Sequence, residues 1–143
     1  MLRSAKLVLF TTIVGTLTVA ASPAYAATKT RGDACRPGAC GSANWYWDPS
    51  GYKIYDLDMG VDDTACDSSS VYIQLILYFG PGNSEGKRQR HENNLGCGHG
   101  MGWYNLAQFE TIKIRAVKVQ VCVNSIFTDE CSSSPWIDNP TVP

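Results

Sequence analysis

Six cysteines, at 35, 40, 66, 97, 122 and 131, constrain this 143-residue chain more than any other feature. An even number of cysteines within about a hundred residues reads as a disulfide framework, and six allow fifteen pairings. Structural zinc competes for the same side chains. However, no C-x2-C pair occurs, and the C-x4-C pair is followed by gaps of 26, 31, 25 and 9 positions. Two local bridges suit the chain. Cys35 with Cys40 closes Arg36-Pro37-Gly38-Ala39, where Pro-Gly favours a turn, and Cys122 with Cys131 closes the segment after a strand. Cys66 then falls to Cys97, a longer bridge that costs the unfolded chain about 3 kcal/mol or more in the loop-entropy model.

Disulfides need an oxidising compartment, and the N-terminus reads as the route to one. Arg3 and Lys6 precede an apolar run from Leu7 to Ala21, and Ala24-Tyr25-Ala26 supplies small residues at a cleavage site. This is the three-part pattern of a secretory signal over residues 1–26, with Ala27 as the new N-terminus. The run is shorter than the ~20 residues that span a bilayer. The expectation is a secreted protein with no membrane span. The remaining 117 residues suit one domain, with ten basic side chains against thirteen acidic. That balance gives no electrostatic grip on nucleic acid.

Period-2 patterning predicts an all-β fold: a small, disulfide-stabilised antiparallel β-sandwich or barrel. Residues 27–43 have no apolar period and read as an extended N-terminal arm ahead of a β-domain over 44–143. Tyr52 to Leu57 is a short strand, and Met59 to Ser70 is an acidic loop. Val71 to Phe79 is the strongest strand; Val71, Ile73, Leu75, Leu77 and Phe79 share one face, and Tyr72, Gln74, Ile76 and Tyr78 share a partly covered second face. Gly80 to Gly102 carries seven glycines and reads as a long irregular region, with Lys87-Arg88-Gln89-Arg90 as a solvated turn. Thr111 to Val123 alternates, but its apolar phase changes partway, which predicts a bulge or bend near Ala116-Val117. Trp136 and Ile137 are expected to anchor the tail.

Chemistry-bearing motifs are sparse. His91 lies in a polar run; His99, within Gly96-Cys97-Gly98-His99-Gly100, is the better-placed base for a small hydrolase. No G-x-S-x-G or H-E-x-x-H occurs. Arg31-Gly32-Asp33 spells an adhesion tripeptide of the kind chance supplies. The acidic stretch from Asp56 to Asp67 resembles a calcium-feeding loop, though without EF-hand spacing. No catalytic residue, metal or cofactor is assigned. Trp45, Trp47 and their tyrosine neighbours suit either the core or a partner surface.

The signal, the arm, the six-cysteine β-domain and the ending Val119-Gln120-Val121-Cys122-Val123, Asp129-Glu130-Cys131, Trp136-Ile137-Asp138-Asn139-Pro140 resemble the small adaptor subunits of umbrella toxin particles. These are antibacterial assemblies secreted by soil actinobacteria. The resemblance implies a non-enzymatic adaptor linking a toxin repeat polypeptide to a lectin-like subunit of trypsin-like fold. It also implies that Thr28 to Arg36 inserts into that subunit's degenerate cleft, with Arg31 leading. The expected partner contacts are Thr28, Lys29, Arg31, Asp33, Arg36, Trp45 and Trp47. A protease inhibitor presenting Arg31 or Arg36 is the alternative.

Overall fold

Alternating side chains and frequent turns fold this chain into strands alone. The computed structural model describes residues 28–126 and 128–143; the leader expected over 1–26, and Ala27, lie outside the described residues. The strands are β1 (Thr30–Arg36), β2 (Ala39–Trp47), β3 (Lys53–Asp63), β4 (Val71–Tyr78), β5 (Gly86–Asn93), β6 (Gly100–Phe109), β7 (Ala116–Val123), β8 (Glu130–Ser133) and β9 (Ile137–Asp138). They form two antiparallel sheets. Sheet A has the order β1-β2-β3-β6, and sheet B has the order β5-β4-β7-β8, with β9 also pairing β7. β1 and β2 pack over β7 and β8, β3 over β4, and β6 beside β5. The expected all-β sandwich is the architecture.

The core lies between the sheets. Sheet A contributes Ala34, Ala43, Trp45, Ile54, Leu57, Met59 and Val61; sheet B contributes Val71, Ile73, Leu75, Leu77, Val117, Val119 and Val121. Each large aliphatic side chain buried this way contributes about 1.5–3 kcal/mol relative to exposure. The face of β4 expected to point inward does so. Its other face is also covered, since Tyr72, Gln74 and Ile76 are buried.

The segment expected as an arm is extended but not free. From Thr30 onward it is β1, paired along its whole length with β2. The domain therefore begins before residue 44. Its inward positions are small (Gly32, Ala34, Ala39, Gly41, Ala43), so the alternation carries no large apolar signal. A Cβ on Gly41 would stand 3.0 Å from Val121 Cγ2 and 3.1 Å from Ile73 Cδ1. Small residues are what close sheet packing requires at this corner. Pro37-Gly38 forms the two-residue turn, and the φ of +92° at Gly38 is one that an L side chain rarely adopts.

Four further expectations change. β3 runs through Asp63 rather than ending at Leu57, because Met59, Val61 and Asp63 alternate inward while Asp58 and Asp62 point out. The region from 80 to 102 is not irregular throughout: β5 spans its basic cluster, and β6 starts at Gly100. β5 is an edge strand whose polar sequence hides its period, and charge on an edge deters strand addition. The phase change near Ala116-Val117 is not a bulge within a strand. β7 starts at Ala116, and Ile114 is buried from the preceding loop. Trp45 and Trp47 are core side chains, 0% and 7% exposed, meeting edge to face at 5.7 Å. They are corrected from partner contacts to packing.

The disulfides are Cys35–Cys40, Cys66–Cys97 and Cys122–Cys131, the pairs that the spacing favoured. The first and third join directly opposed residues of neighbouring strands. The second ties the β3–β4 loop to the β5–β6 loop. Three such bridges suit an oxidising, extracellular environment. Among the described residues no helix is long and apolar enough to cross a membrane.

Candidate functional site

Register across sheet A places Asp33 opposite Ser42, Ser42 opposite Gly60, and Gly60 opposite Gly102. All four face away from the core. Two adjacent glycines in this transverse row leave the sheet without side chains, and a groove of about 400 Å³ opens there. A Cβ on Gly60 would meet nothing closer than Met101 O at 3.5 Å, so the floor is bare backbone. Arg31 and Asp33 of β1 wall one end, with Arg31 Nε donating to Asp33 Oδ2 at 3.0 Å. That hydrogen bond and the attraction of the carboxylate raise the guanidinium pKa further.

Tyr104 stands at the opposite end, on β6. A Cβ on Gly102 would lie 2.8 Å from Tyr104 Cζ and 3.1 Å from its Cε2. Glycine is therefore what lets the ring lie down along the strand. The ring remains 74% exposed. Asp62 lies across Gly100 in the next row, and among the described residues it makes no ion pair. The site therefore combines an aromatic plate, two carboxylates, a guanidinium and a backbone floor.

Beyond the groove the same face is more crowded. Lys29 Nζ donates to Asp58 at 2.7 Å and to Asp56 at 3.1 Å, and lies 5.6 Å from the Tyr46 ring centroid. Tyr46 stacks on Tyr55. The Lys29 hydrogen bond to Asp58 is the main reason that the lysine pKa is raised, and it likewise holds the Asp58 carboxyl below its usual range. Asp56 and Asn105 have positive φ values of 47° and 54°, beside irregularities in the β3–β6 register.

The structure separates several expected site residues. Thr28 is exposed, but Lys29 is engaged by the two aspartates. Arg31 and Asp33 meet in the groove wall. Arg36 turns to the opposite sheet and pairs with Glu130, so it is not displayed on a convex loop as an inhibitor residue would be. The acidic stretch is dispersed: Asp56 and Asp58 hold Lys29, Asp62 borders the groove, Asp63 is buried, and Asp67 caps Ser69. Among the described residues no three metal-ligating side chains converge. His99 is exposed, and its backbone oxygen accepts from Asn93. His91 stacks on Trp103 at 4.8 Å, its Nε2 lies 3.2 Å from Gln89 Oε1, and burial lowers its pKa.

Sequence did not bring Gly60, Asp62, Gly102 and Tyr104 together: Gly60 and Asp62 entered only within the acidic stretch resembling a calcium loop, and Gly102 and Tyr104 were given no site role. The available signal was Gly100-x-Gly102-x-Tyr104, which puts two glycines and an aromatic on one strand face. Comparison with protein-family models, curated proteins and solved structures finds no match for this chain.

Proposed function

We propose that the protein is secreted and acts without catalysis as an adaptor between other secreted proteins, as the resemblance to umbrella-particle adaptors implies. One observation carries this reading: among the described residues no strand pairs the outer side of β1, the edge of sheet A. Cys35 and Cys40 face each other with Cα atoms 4.1 Å apart, the close spacing of a non-hydrogen-bonded pair. By alternation Arg31, Asp33 and Cys35 direct their N–H and C=O groups away from β2, toward the open side. A partner's extended segment can add there as a further strand, with Arg31 and Asp33 supplying charge recognition. On the far flank, by contrast, Arg88 bonds Glu110 and Gln89 bonds the Ala107 carbonyl, so side chains bridge β5 and β6.

Purification from the producing organism's culture supernatant, with cross-linking and amide exchange, tests the reading. A stoichiometric complex is expected, with the amides of Arg31, Asp33 and Cys35 protected in it. Arg31→Pro removes an outward N–H without breaking the β1–β2 ladder, and is expected to weaken partner binding at least tenfold while leaving the fold intact. A chain that remains monomeric and without a partner in the supernatant overturns the proposal.

A further inference from the structure

We propose that the glycine-floored groove of sheet A binds a chain of uncharged pyranose sugars, with Tyr104 as its stacking platform. A pyranose ring offers a flat face of C–H groups and a rim of hydroxyls. Its recognition calls for an exposed aromatic face, planar charged groups beside it, and a surface low enough for the sugar to lie against. The groove supplies each of these. Gly102 lets the Tyr104 ring lie flat, and the bare backbone at Gly60 and Gly102 keeps the floor low. Asp33 and Asp62 can accept hydrogen bonds from hydroxyls, and Arg31 can donate to hydroxyl oxygens.

A second observation singles out Tyr104. The other exposed aromatic rings among the described residues each have a lysine near the ring: Lys113 lies 5.8 Å from Tyr52, Lys53 lies 4.6 Å from Phe109, and Lys118 lies 4.4 Å from Trp136. No cation lies over Tyr104 among the described residues. Its face is open to a ligand, where the others are already occupied by the protein.

The same chemistry selects the ligand class. Between Gly60 and Gly102 the floor is backbone, and the Cys35–Cys40 disulfide at its margin is the small apolar group there, too little to anchor a large peptide side chain. Asp62, without an ion-pair partner among the described residues, repels an acidic glycan. Hydroxyl-rich, uncharged rings fit both facts.

The test titrates the secreted protein with cellohexaose, xylohexaose, laminarihexaose and chitohexaose, following amide shifts by NMR, with polygalacturonate as the acidic comparison. At least one neutral hexaose is expected to shift Gly60, Gly102 and Tyr104. Tyr104→Ala is expected to weaken binding at least tenfold, and Gly60→Val to block it by filling the floor. Trp136→Ala, on the other sheet, is expected to leave it unchanged. Unshifted spectra away from the groove establish that each variant is folded. No response to any neutral hexaose at millimolar concentration overturns the proposal, as does binding that survives Tyr104→Ala or that favours polygalacturonate. Tyr104→Ala leaves the β1 edge intact, so loss of sugar binding with retained partner binding separates this site from the adaptor reading.

Discussion

The outer faces of the two sheets are finished in opposite ways. On sheet B the protein covers itself. The Arg90 guanidinium lies 3.7 Å from the Tyr72 ring centroid, and the Tyr72 hydroxyl donates to Asp129 at 2.8 Å. Gln74 bonds Gln120, and Lys118 lies over Trp136, which meets Tyr78. These long side chains bury Tyr72, Gln74 and Ile76 to 2–3% exposure, although among the described residues no further layer of structure lies above them. Burial, together with the hydrogen bond to Asp129, pushes the Tyr72 phenol up to about 12. On sheet A, Ser42, Gly60 and Gly102 supply nothing of the kind, so backbone and one tyrosine ring face solvent. A sheet face is closed by the reach of its side chains, and a row of glycines leaves it open to something else.

The largest effect is expected from removing the corresponding aromatic on each face. Tyr72→Ala should cost about 3 kcal/mol or more in guanidinium unfolding, in the range of buried aromatic truncations. Tyr104→Ala should stay within about 0.5 kcal/mol, as at exposed positions. Equal costs would show that Tyr104 is a packed residue and not a free plate.

A smaller contrast lies within sheet A, between its two sides. Gly41→Val drives a side chain against the Gly60 carbonyl, 2.7 Å from its Cβ, as well as Val121 and Ile73, and should destabilise by about 1–3 kcal/mol or more. Gly60→Val, one position from the residue paired with Gly41, enters open space and should be close to neutral. A large loss for Gly60→Val would contradict the bare floor.

The smallest effect is a pH dependence where the sandwich closes between β5 and β6. Burial lowers the His91 pKa, so the unfolded chain binds the proton more readily than the folded one. The contribution of neutral His91 is therefore complete above the ordinary histidine value, about 6.5, and is lost as pH falls below it. Melting temperatures between pH 7.5 and 5 should decline, and His91→Gln should flatten that decline. The lowered carboxylates, Asp48, Asp58, Glu92 and Asp129, act at lower pH: their contributions hold above the usual carboxylate range and fade beneath it. A decline unchanged by His91→Gln would show that His91 is as solvated as in the unfolded chain.

Much of the fold was legible in local pattern. The inward face of β4 was readable because its large β-branched and aliphatic residues alternate without interruption. The disulfide pairs were readable because two of the three bridges close short turns. β1 and β5 were not readable as strands, for different reasons. β1 packs through glycine and alanine, which carry little hydrophobic signal, and β5 is a charged edge. Trp45 and Trp47 could not be assigned to core or surface from their cluster alone, since an aromatic suits either. Alternation from Ala39 to Trp47 decides it once β2 is known to begin at Ala39, because both indoles then share the inward face.

By itself the sequence determined an all-β domain, its cysteine framework and the strongest strand, because alternation and loop closure are properties of neighbours along the chain. Only the tertiary structure decided the groove. Asp33, Ser42, Gly60 and Gly102 belong to four strands, and cross-strand register sets them in one row. A shift of one residue would turn the glycines inward and send large side chains to the open face.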